Sequence, residues 1–247
     1  MTGSPSPPTP PRGVVVSGTD TAVGKTVVAA ALARCWADAG HDVVYVKPVQ
    51  SGVADGDDDA ATVRSLTGLT AVCGPRIDPA VAPAVGARLA GRQLTRTQLL
   101  AAPTAAAADQ PGAVLVVEGA GGLLVELGTD GTTVVDVAAA LQFPVVVVAR
   151  PGLGTLNHTT LTVEALAARG VALAGLVVCG YPPDPDLATR TNLAELDRLS
   201  PCGLSGVVPR LDLAGVPRLG RCCGWFAPEL GGVWDRSEGL AVAHEDP

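Results

Sequence analysis

A glycine-rich turn, Gly18–Thr26 (GTDTAVGKT), contains the residue types most suited to chemistry in this 247-residue chain. It follows a short β-branched apolar run, Gly13–Ser17, and precedes a stretch with helical character, Thr26–Ala39. Backbone N–H groups of a turn between a strand and a helix cradle phosphate oxygens, aided by the positive end of the helix. The sequence therefore predicts a phosphate-binding loop.

Two side chains at the end of this turn are suited to a bound nucleotide. Lys25 is expected to bridge the β- and γ-phosphates, and the Thr26 hydroxyl is expected to bind Mg²⁺. Five residues, where the standard pattern has four, separate Gly18 from Gly24. A glycine turn that only caps a helix is the alternative interpretation.

A lysine ends the second predicted strand, Asp42–Lys47, and the segment KPVQSG continues to Gly52. Ligands of parallel sheets bind beyond the carboxyl ends of the strands, so Lys47 and Ser51 are expected beside the phosphate-binding loop. The alternative is a solvated lysine where an ordinary strand ends.

Four carboxylates follow within five residues: Asp55, Asp57, Asp58 and Asp59. Mg²⁺ takes oxygen ligands, commonly one or two carboxylates together with phosphate and water. Acidic residues before a helix also serve as N-caps, which is the competing role. We expect one of the four to bind the metal.

A further acid, Glu118, begins the segment EGAGG after the predicted strand Ala113–Val117. Its place at a strand end is that of a Walker-B acid, so it is a second candidate metal ligand. The glycines that follow let a ligand approach backbone N–H groups. A flexible connection is the alternative.

Apolar strand candidates alternate with helix candidates along the chain. Besides those above, the strands are Pro144–Ala149, Leu173–Cys179 and Leu204–Val208, and the helices are Asp58–Thr67, Arg96–Ala108, Val134–Gln142, Thr155–Arg169 and Pro185–Leu199. This order predicts an α/β fold of the P-loop NTPase type, with a mostly parallel sheet and helices on both faces. The predicted domain is residues 13–211, after a flexible proline-rich tail (1–12) and before a glycine-rich segment (212–247) of no evident role.

Composition excludes several classes of protein. The net charge of −7 argues against binding to nucleic acid or an anionic membrane. We find no signal peptide and no apolar run long enough to span a membrane, which predicts a soluble cytoplasmic protein. The six cysteines show no paired metal-binding spacing and are expected to be free thiols.

Five segments taken together resemble the dethiobiotin synthetase family. They are Gly18–Thr26, Lys47–Gly52, Asp59, Glu118–Gly122 and Gly152–His158. The family's phosphate loop has the longer glycine spacing seen here. The resemblance implies a homodimer of P-loop α/β subunits that closes the ureido ring of a biotin precursor from 7,8-diaminononanoate, CO₂ and ATP, with Mg²⁺.

The resemblance also implies roles for individual residues. Lys47 corresponds to the catalytic lysine. Metal contacts are Thr26, Asp59 and Glu118; substrate contacts are Ser51, Gly121, Gly122 and Asn157; nucleotide contacts are Ala22, Val23, Gly24, Lys25, Thr26, Val27, Glu118, Gly119, Gly121, Gly180, Tyr181, Pro209, Arg210 and Leu211. The asparagine that some members place near Gly180 is missing, because Tyr181 and two prolines follow here.

The implied reaction brings two anions together. The diamine and CO₂ give a carbamate, whose oxygen attacks the γ-phosphate to give a carbamic–phosphoric anhydride. The second amine then closes the ring and expels phosphate. Lys25, Lys47 and Mg²⁺ supply the cations that this junction needs.

Two other classes compete with a synthetase. Partitioning and iron–sulfur-type P-loop ATPases act as protein-interaction switches and place a signature lysine early in the loop, where this chain has Asp20. A nucleotide-binding regulatory module without turnover is disfavoured by the candidate carboxylates and Lys47.

Overall fold

The computed structural model describes residues 10–212, 218–220 and 222–241. The strands are β1 (Gly13–Gly18), β2 (Val43–Lys47), β3 (Gln50–Ser51), β4 (Thr70–Cys73), β5 (Arg76–Ile77), β6 (Val114–Gly122), β7 (Val145–Ala149), β8 (Leu173–Tyr181) and β9 (Leu204–Pro209). The α-helices are α1 (Lys25–Asp38), α2 (Asp59–Thr67), α3 (Pro83–Leu89), α4 (Arg96–Asp109), α5 (Val134–Leu141), α6 (Thr155–Ala168), α7 (Leu187–Leu199) and α8 (Arg236–Ala241).

Seven of these strands form one parallel sheet in the order β4-β2-β6-β1-β7-β8-β9. Its central strands are apolar on both sides and buried, as expected where helices cover both faces. One apolar layer packs under α1 and α2, and the other packs under α4, α5, α6 and α7. The predicted fold class is therefore confirmed, and among the described helices none is long and apolar enough to cross a membrane.

Strand β6 is longer than the sequence predicted. The segment Glu118–Gly122 was predicted to follow the strand, with a flexible connection as the alternative, but it continues β6, and Gly122 pairs with Gly18 of β1. Glycine permits this close packing, because a Cβ on Gly119 would lie 2.7 Å from Val134 Cγ1. The other predicted elements end within two residues of their observed bounds, whereas β3, β4, β5, α3 and α8 were not predicted.

The glycine-rich C-terminal segment, for which no role was predicted, packs on the sheet and α1 where it is described. Phe226 is fully buried and forms an antiparallel β-bridge with Gly206 of β9. The indole Nε1 of Trp36 in α1 donates to Leu230 O at 2.8 Å. The C-terminal segment thus completes the apolar layer beneath α1.

The expectation that all cysteines are free thiols is wrong for one pair. Cys35 of α1 and Cys223 of the C-terminal segment form a disulfide, with Cα atoms 5.0 Å apart. The pairing joins residues separated by 188 positions, so no local spacing in the sequence could indicate it. Cys73, Cys179, Cys202 and Cys222 are free, as expected.

The described residues cover only part of the predicted terminal segments. Residues 1–9 of the predicted proline-rich tail lie outside them, as do residues 213–217, 221 and 242–247 of the C-terminal segment.

Candidate nucleotide and metal site

A cavity of about 390 Å³ opens where the carboxyl ends of β1, β2 and β6 meet the start of α1. Parallel strands bring their carboxyl ends to the same edge of the sheet, so residues distant in sequence converge there. The lining residues are Thr21, Ala22, Gly24, Lys25, Thr26, Val27, Lys47, Gln50, Ser51, Asp57, Asp59, Glu118, Ala120 and Gly121. Most of the residues predicted for phosphate, metal and catalysis are among them.

Three oxygen-bearing side chains meet at the start of α1. Thr26 Oγ1 donates to Glu118 Oε1 at 2.9 Å and lies 3.2 Å from Asp59 Oδ1. Asp59 is the first residue of α2, and Glu118 lies in the buried part of β6. One hydroxyl and two carboxylates form a set of hard oxygen donors of the kind that Mg²⁺ prefers, so these residues fit the metal.

Lys47 lies between the same two carboxylates. Its ammonium Nζ is 2.6 Å from Asp59 Oδ2 and 2.8 Å from Glu118 Oε1, and it donates to Gly119 O at 3.0 Å. The residue is only 3% exposed, and Glu118 is 1% exposed. Burial alone would lower the pKa of Lys47, but Glu118 and Asp59 outweigh burial and raise it, so the lysine is a charged counter-ion.

Lys25 occupies the phosphate-binding loop itself. Its Nζ donates to Asp20 O at 2.8 Å, within the loop that it closes. Burial lowers the pKa of Lys25, and neighbouring Lys47 lowers it further. An incoming phosphate would return an anionic partner to this ammonium.

The loop depends on a glycine at the N-cap of α1. Gly24 has φ +95°, in the left-handed region, and a Cβ there would collide with the Cys179 Sγ at the end of β8. Burial raises the pKa of Cys179 to about 11, so this thiol stays protonated and acts as packing. The contact also places the loop directly against the end of β8.

The acidic run divides its roles between neighbouring residues. Asp58 is the N-cap of α2, where its Oδ1 accepts from Ala61 N at 2.9 Å and its Oδ2 from Arg76 at 2.8 Å. The hydrogen bond from Arg76 lowers the pKa of Asp58. Asp59 faces Thr26 and Lys47 instead, so Asp58 has the capping role and Asp59 stays the candidate metal ligand.

Two residues of the site were not predicted from the sequence. The Tyr45 hydroxyl donates to Glu118 Oε2 at 2.7 Å, and Gln50 Oε1 accepts from Asp59 N at 3.1 Å. A signal for Tyr45 did exist, because alternate residues of a strand share a face and Tyr45 precedes Lys47 by two positions.

The residues predicted for the nucleotide base lie apart from the lysines. Gly180 and Tyr181 end β8, Pro209 ends β9, and Arg210 N donates to Tyr181 O at 2.8 Å. Tyr181 and Pro209 line a second cavity of about 320 Å³ together with Trp225 and Trp234 of the C-terminal segment. The structure brings these predicted residues together at one edge of the sheet, and Leu211 follows them on the chain.

Four other predicted residues do not line the first cavity, and one of them is Gly119, whose carbonyl oxygen accepts from Lys47. Val23 is buried in the core, Gly122 pairs with β1, and Asn157 is an exposed residue in the first turn of α6. Asn157 lies in the helix that the sequence predicted from Thr155, since α6 begins at that residue.

Comparisons with known proteins agree with this architecture. A family model described as an AAA domain matches residues 12–218. The ATP-dependent dethiobiotin synthetase BioD of Mycolicibacterium vanbaalenii is 50% identical over 210 residues, which cover 84% of this chain and 89% of that protein. The protein of the same name from Mycobacterium avium is 51% identical over 232 residues, covering 93% and 98%. The chain belongs to the dethiobiotin synthetase family.

Similarity to solved structures supports the fold of this dethiobiotin synthetase family member and nothing beyond it. The signal recognition particle receptor FtsY of Elizabethkingia anophelis, in complex with GDP, superimposes with a TM-score of 0.56 at 16% identity. The match covers 99% of this chain and 67% of that one.

Proposed function

We propose that this chain closes the ureido ring of dethiobiotin from 7,8-diaminononanoate and CO₂ at the expense of ATP. The proposal rests on family membership and on one observation: the Lys47 ammonium and the Thr26 hydroxyl both contact Asp59 and Glu118. This is a compact set of charges beside a phosphate-binding loop. It suits a reaction in which two anions must be joined.

In this proposal the phosphates are bound by the phosphate-binding loop and by the metal. The backbone N–H groups of the loop that ends at Gly24 hold the β- and γ-phosphates, and Lys25 exchanges its contact with Asp20 O for a phosphate oxygen. Thr26, Asp59 and Glu118 would hold Mg²⁺, which when bound neutralises charge on the transferring phosphate.

Lys47 is placed to act where the carbamate oxygen attacks the γ-phosphorus. That attack forms the bond of a carbamic–phosphoric anhydride and breaks the bond to ADP. The second amine then attacks the carbamoyl carbon, closes the ring and releases phosphate, while the amine protons pass to solvent. Because Lys47 is buried and charged, its field is stronger than that of a solvated lysine.

The substrate is proposed to lie between two subunits. Ser51 and Gly121 line the cavity near Lys47, whereas Asn157 is exposed on α6 and is not among the lining residues. Leu153 before α6 and Leu161 within it are large apolar residues that are 85% and 56% exposed. A homodimer that covers this face brings Asn157 of one subunit toward substrate in the other.

One incubation tests the proposal. With ATP, Mg²⁺, bicarbonate and diaminononanoate, we expect the ureido product by mass spectrometry and phosphate release that requires both bicarbonate and the diamine. Phosphate release that neither compound changes, but that a protein or DNA partner stimulates, would contradict it and favour a switch ATPase.

A further inference from the structure

Tyr45 brings a polar group into the otherwise apolar layer beneath α1. The residue lies on β2 with a fully buried side chain, among Val14, Val116 and Ala29 of the core. Its hydroxyl donates to Glu118 Oε2 at 2.7 Å. A buried hydroxyl or carboxylate oxygen without a hydrogen-bond partner is destabilising. The hydrogen bond between Tyr45 and Glu118 therefore stabilises the buried position of both side chains.

The two oxygens of Glu118 therefore have different neighbours. Oε2 accepts from Tyr45, while Oε1 accepts from Thr26 at 2.9 Å and from Lys47 at 2.8 Å. Core packing restricts the Tyr45 ring to few rotamers. Its hydroxyl thus sets the plane of a carboxylate that would otherwise rotate about its last bond.

We propose that Tyr45 is a positioning residue that engages Glu118 Oε2 and so presents Oε1, as a single oxygen, to the metal held by Thr26 and Asp59. This inference rests on the proposed function, in which Thr26, Asp59 and Glu118 bind Mg²⁺. It adds Tyr45 to the residues that determine the metal site, and it gives a reason for the preference for one metal over another. Neither follows from the phosphate-loop motif.

The proposal has a consequence for metal selectivity. Mg²⁺ demands near-ideal octahedral geometry and accepts one oxygen from a carboxylate, whereas Ca²⁺ has more ligands and often takes both oxygens. Holding Oε2 on Tyr45 disfavours the two-oxygen mode. Tyr45 therefore favours Mg²⁺ over Ca²⁺.

Calorimetric titration of a non-hydrolysable ATP analogue tests this, at a series of Mg²⁺ or Ca²⁺ concentrations. In Tyr45→Phe we expect the Mg²⁺ concentration for half-maximal enhancement of nucleotide affinity to rise about 10-fold, the size usual for loss of an outer-shell partner. We expect the requirement for Ca²⁺ to change less, so that the preference for Mg²⁺ falls. Affinity without any divalent cation should not change.

Two further variants separate positioning from packing. Val44→Ala removes buried methyl groups from the neighbouring position of β2, on the opposite face of the sheet, and should lower thermal stability without moving the Mg²⁺ titration. Glu118→Gln should raise the Mg²⁺ requirement, and adding Tyr45→Phe to it should raise the requirement no further.

The possible failures are distinguishable. If Tyr45→Phe titrates like the wild type while Glu118→Gln is shifted, Tyr45 is a core residue only. If neither Glu118→Gln nor Asp59→Asn is shifted, the metal site of the proposed function fails.

A measurement on the wild-type side chain covers the case in which Tyr45→Phe does not fold. The sequence contains two tyrosines, Tyr45 and Tyr181. With fluorotyrosine incorporated and Tyr181→Phe used for assignment, the Tyr45 ¹⁹F resonance should move when Mg²⁺ is added to the nucleotide-bound protein. A resonance that stays in place overturns the proposal.

Discussion

Asp58 and Asp59 are adjacent carboxylates that the backbone turns toward different partners. Asp58 is the last residue before α2 and accepts a hydrogen bond from the Ala61 N–H of that helix, whereas Asp59 is the first residue within it and faces Thr26. Helix geometry separates successive side chains by about 100°, so two neighbouring acids rarely share one task. This division leads to a direct test.

We expect Asp59→Asn to raise the Mg²⁺ requirement for turnover while leaving the fold intact, because a hard cation loses one charged oxygen ligand. Asp58→Ala should instead lower the free energy of unfolding by about 1 kcal/mol, the usual cost of a lost N-cap. Turnover against Mg²⁺ and urea unfolding of both variants provide the measurements. A Mg²⁺ titration that responds to Asp58 and not to Asp59 would show that the assignment is reversed.

The two lysines should differ in the step that they affect. Lys25→Gln should weaken ATP binding itself, since Lys25 lies in the phosphate-binding loop. Lys47→Gln should bind ATP nearly normally at saturating Mg²⁺ but lose about 10²–10³ in turnover, as when one transition-state donor is removed. ATP affinity by calorimetry and turnover by product formation distinguish them.

The controls for this comparison are stability measurements. Lys47→Gln leaves Asp59 and the buried Glu118 without their counter-ion, so its free energy of unfolding should fall and Mg²⁺ should restore part of it. Near-normal turnover in Lys47→Gln would mean that the lysine only balances charge.

Lys25, Thr26 and Lys47 could be predicted because each lies at a strand end or in a glycine turn, and Glu118 because it follows the apolar run of β6. The position of Tyr45 on the strand face of Lys47 was readable, but its contact with Glu118 was not, since Glu118 is 73 residues away and only the pairing of β2 with β6 brings them together. The local sequence pattern identifies candidate site residues, and the register of the paired strands determines which of them are in contact.

At the scale of elements, β6 shows how glycines can mislead a sequence-based boundary. Its last residues, Glu118–Gly122, carry turn-forming composition but continue the strand, since Gly122 pairs with Gly18 of β1 and Val134 leaves no room for a Cβ on Gly119. The alternating helices and the other main strands follow local apolar patterns and were predictable. The C-terminal segment was not, since its contacts with α1 and β9 are all long-range.

The C-terminal segment should contribute to stability through one aromatic residue. Phe226→Ala removes a fully buried ring, so we expect the free energy of unfolding to fall by about 3–5 kcal/mol in urea. Val233→Ala, at a position that is 77% exposed, should stay within about 0.5 kcal/mol of the wild type. Equal, small effects would mean that this segment is not part of the core.

The disulfide between Cys35 and Cys223 should also stabilise the packing of the C-terminal segment on α1. Without reductant, Cys223→Ser should lower the free energy of unfolding by about 3 kcal/mol, because the cross-link restricts the unfolded chain. Excess dithiothreitol should bring the wild type to the level of the variant, while Cys202→Ser, a free and half-buried thiol, should leave the response unchanged. A wild type indifferent to reductant would contradict the pairing.

At the scale of the whole molecule, the exposed apolar residues before and along α6 should be covered by a second copy of the chain. We expect sedimentation to show a dimer at micromolar concentration and Leu161→Asp to raise the dissociation constant about 10-fold or more, since a charge would be buried at the interface. Val233→Asp, also at an exposed apolar position, serves as the control. A fully active monomer would refute the dimer.

Lys47 is paired with Asp59 and Glu118, and Lys25 and Asp57 also line the cavity, so its charged side chains have a formal charge of −1 on a protein of net charge −7. Free ATP carries four negative charges, and it finds no excess of positive charge here and an acidic surface around it. A free divalent cation likewise meets Asp59 and Glu118 already paired with the Lys47 ammonium. The cation and the nucleotide reduce each other's charge when they form a complex. We therefore expect them to associate in solution first and then to bind the protein together. Calorimetry should therefore show little heat when either is added alone and a clear binding isotherm when they are added together.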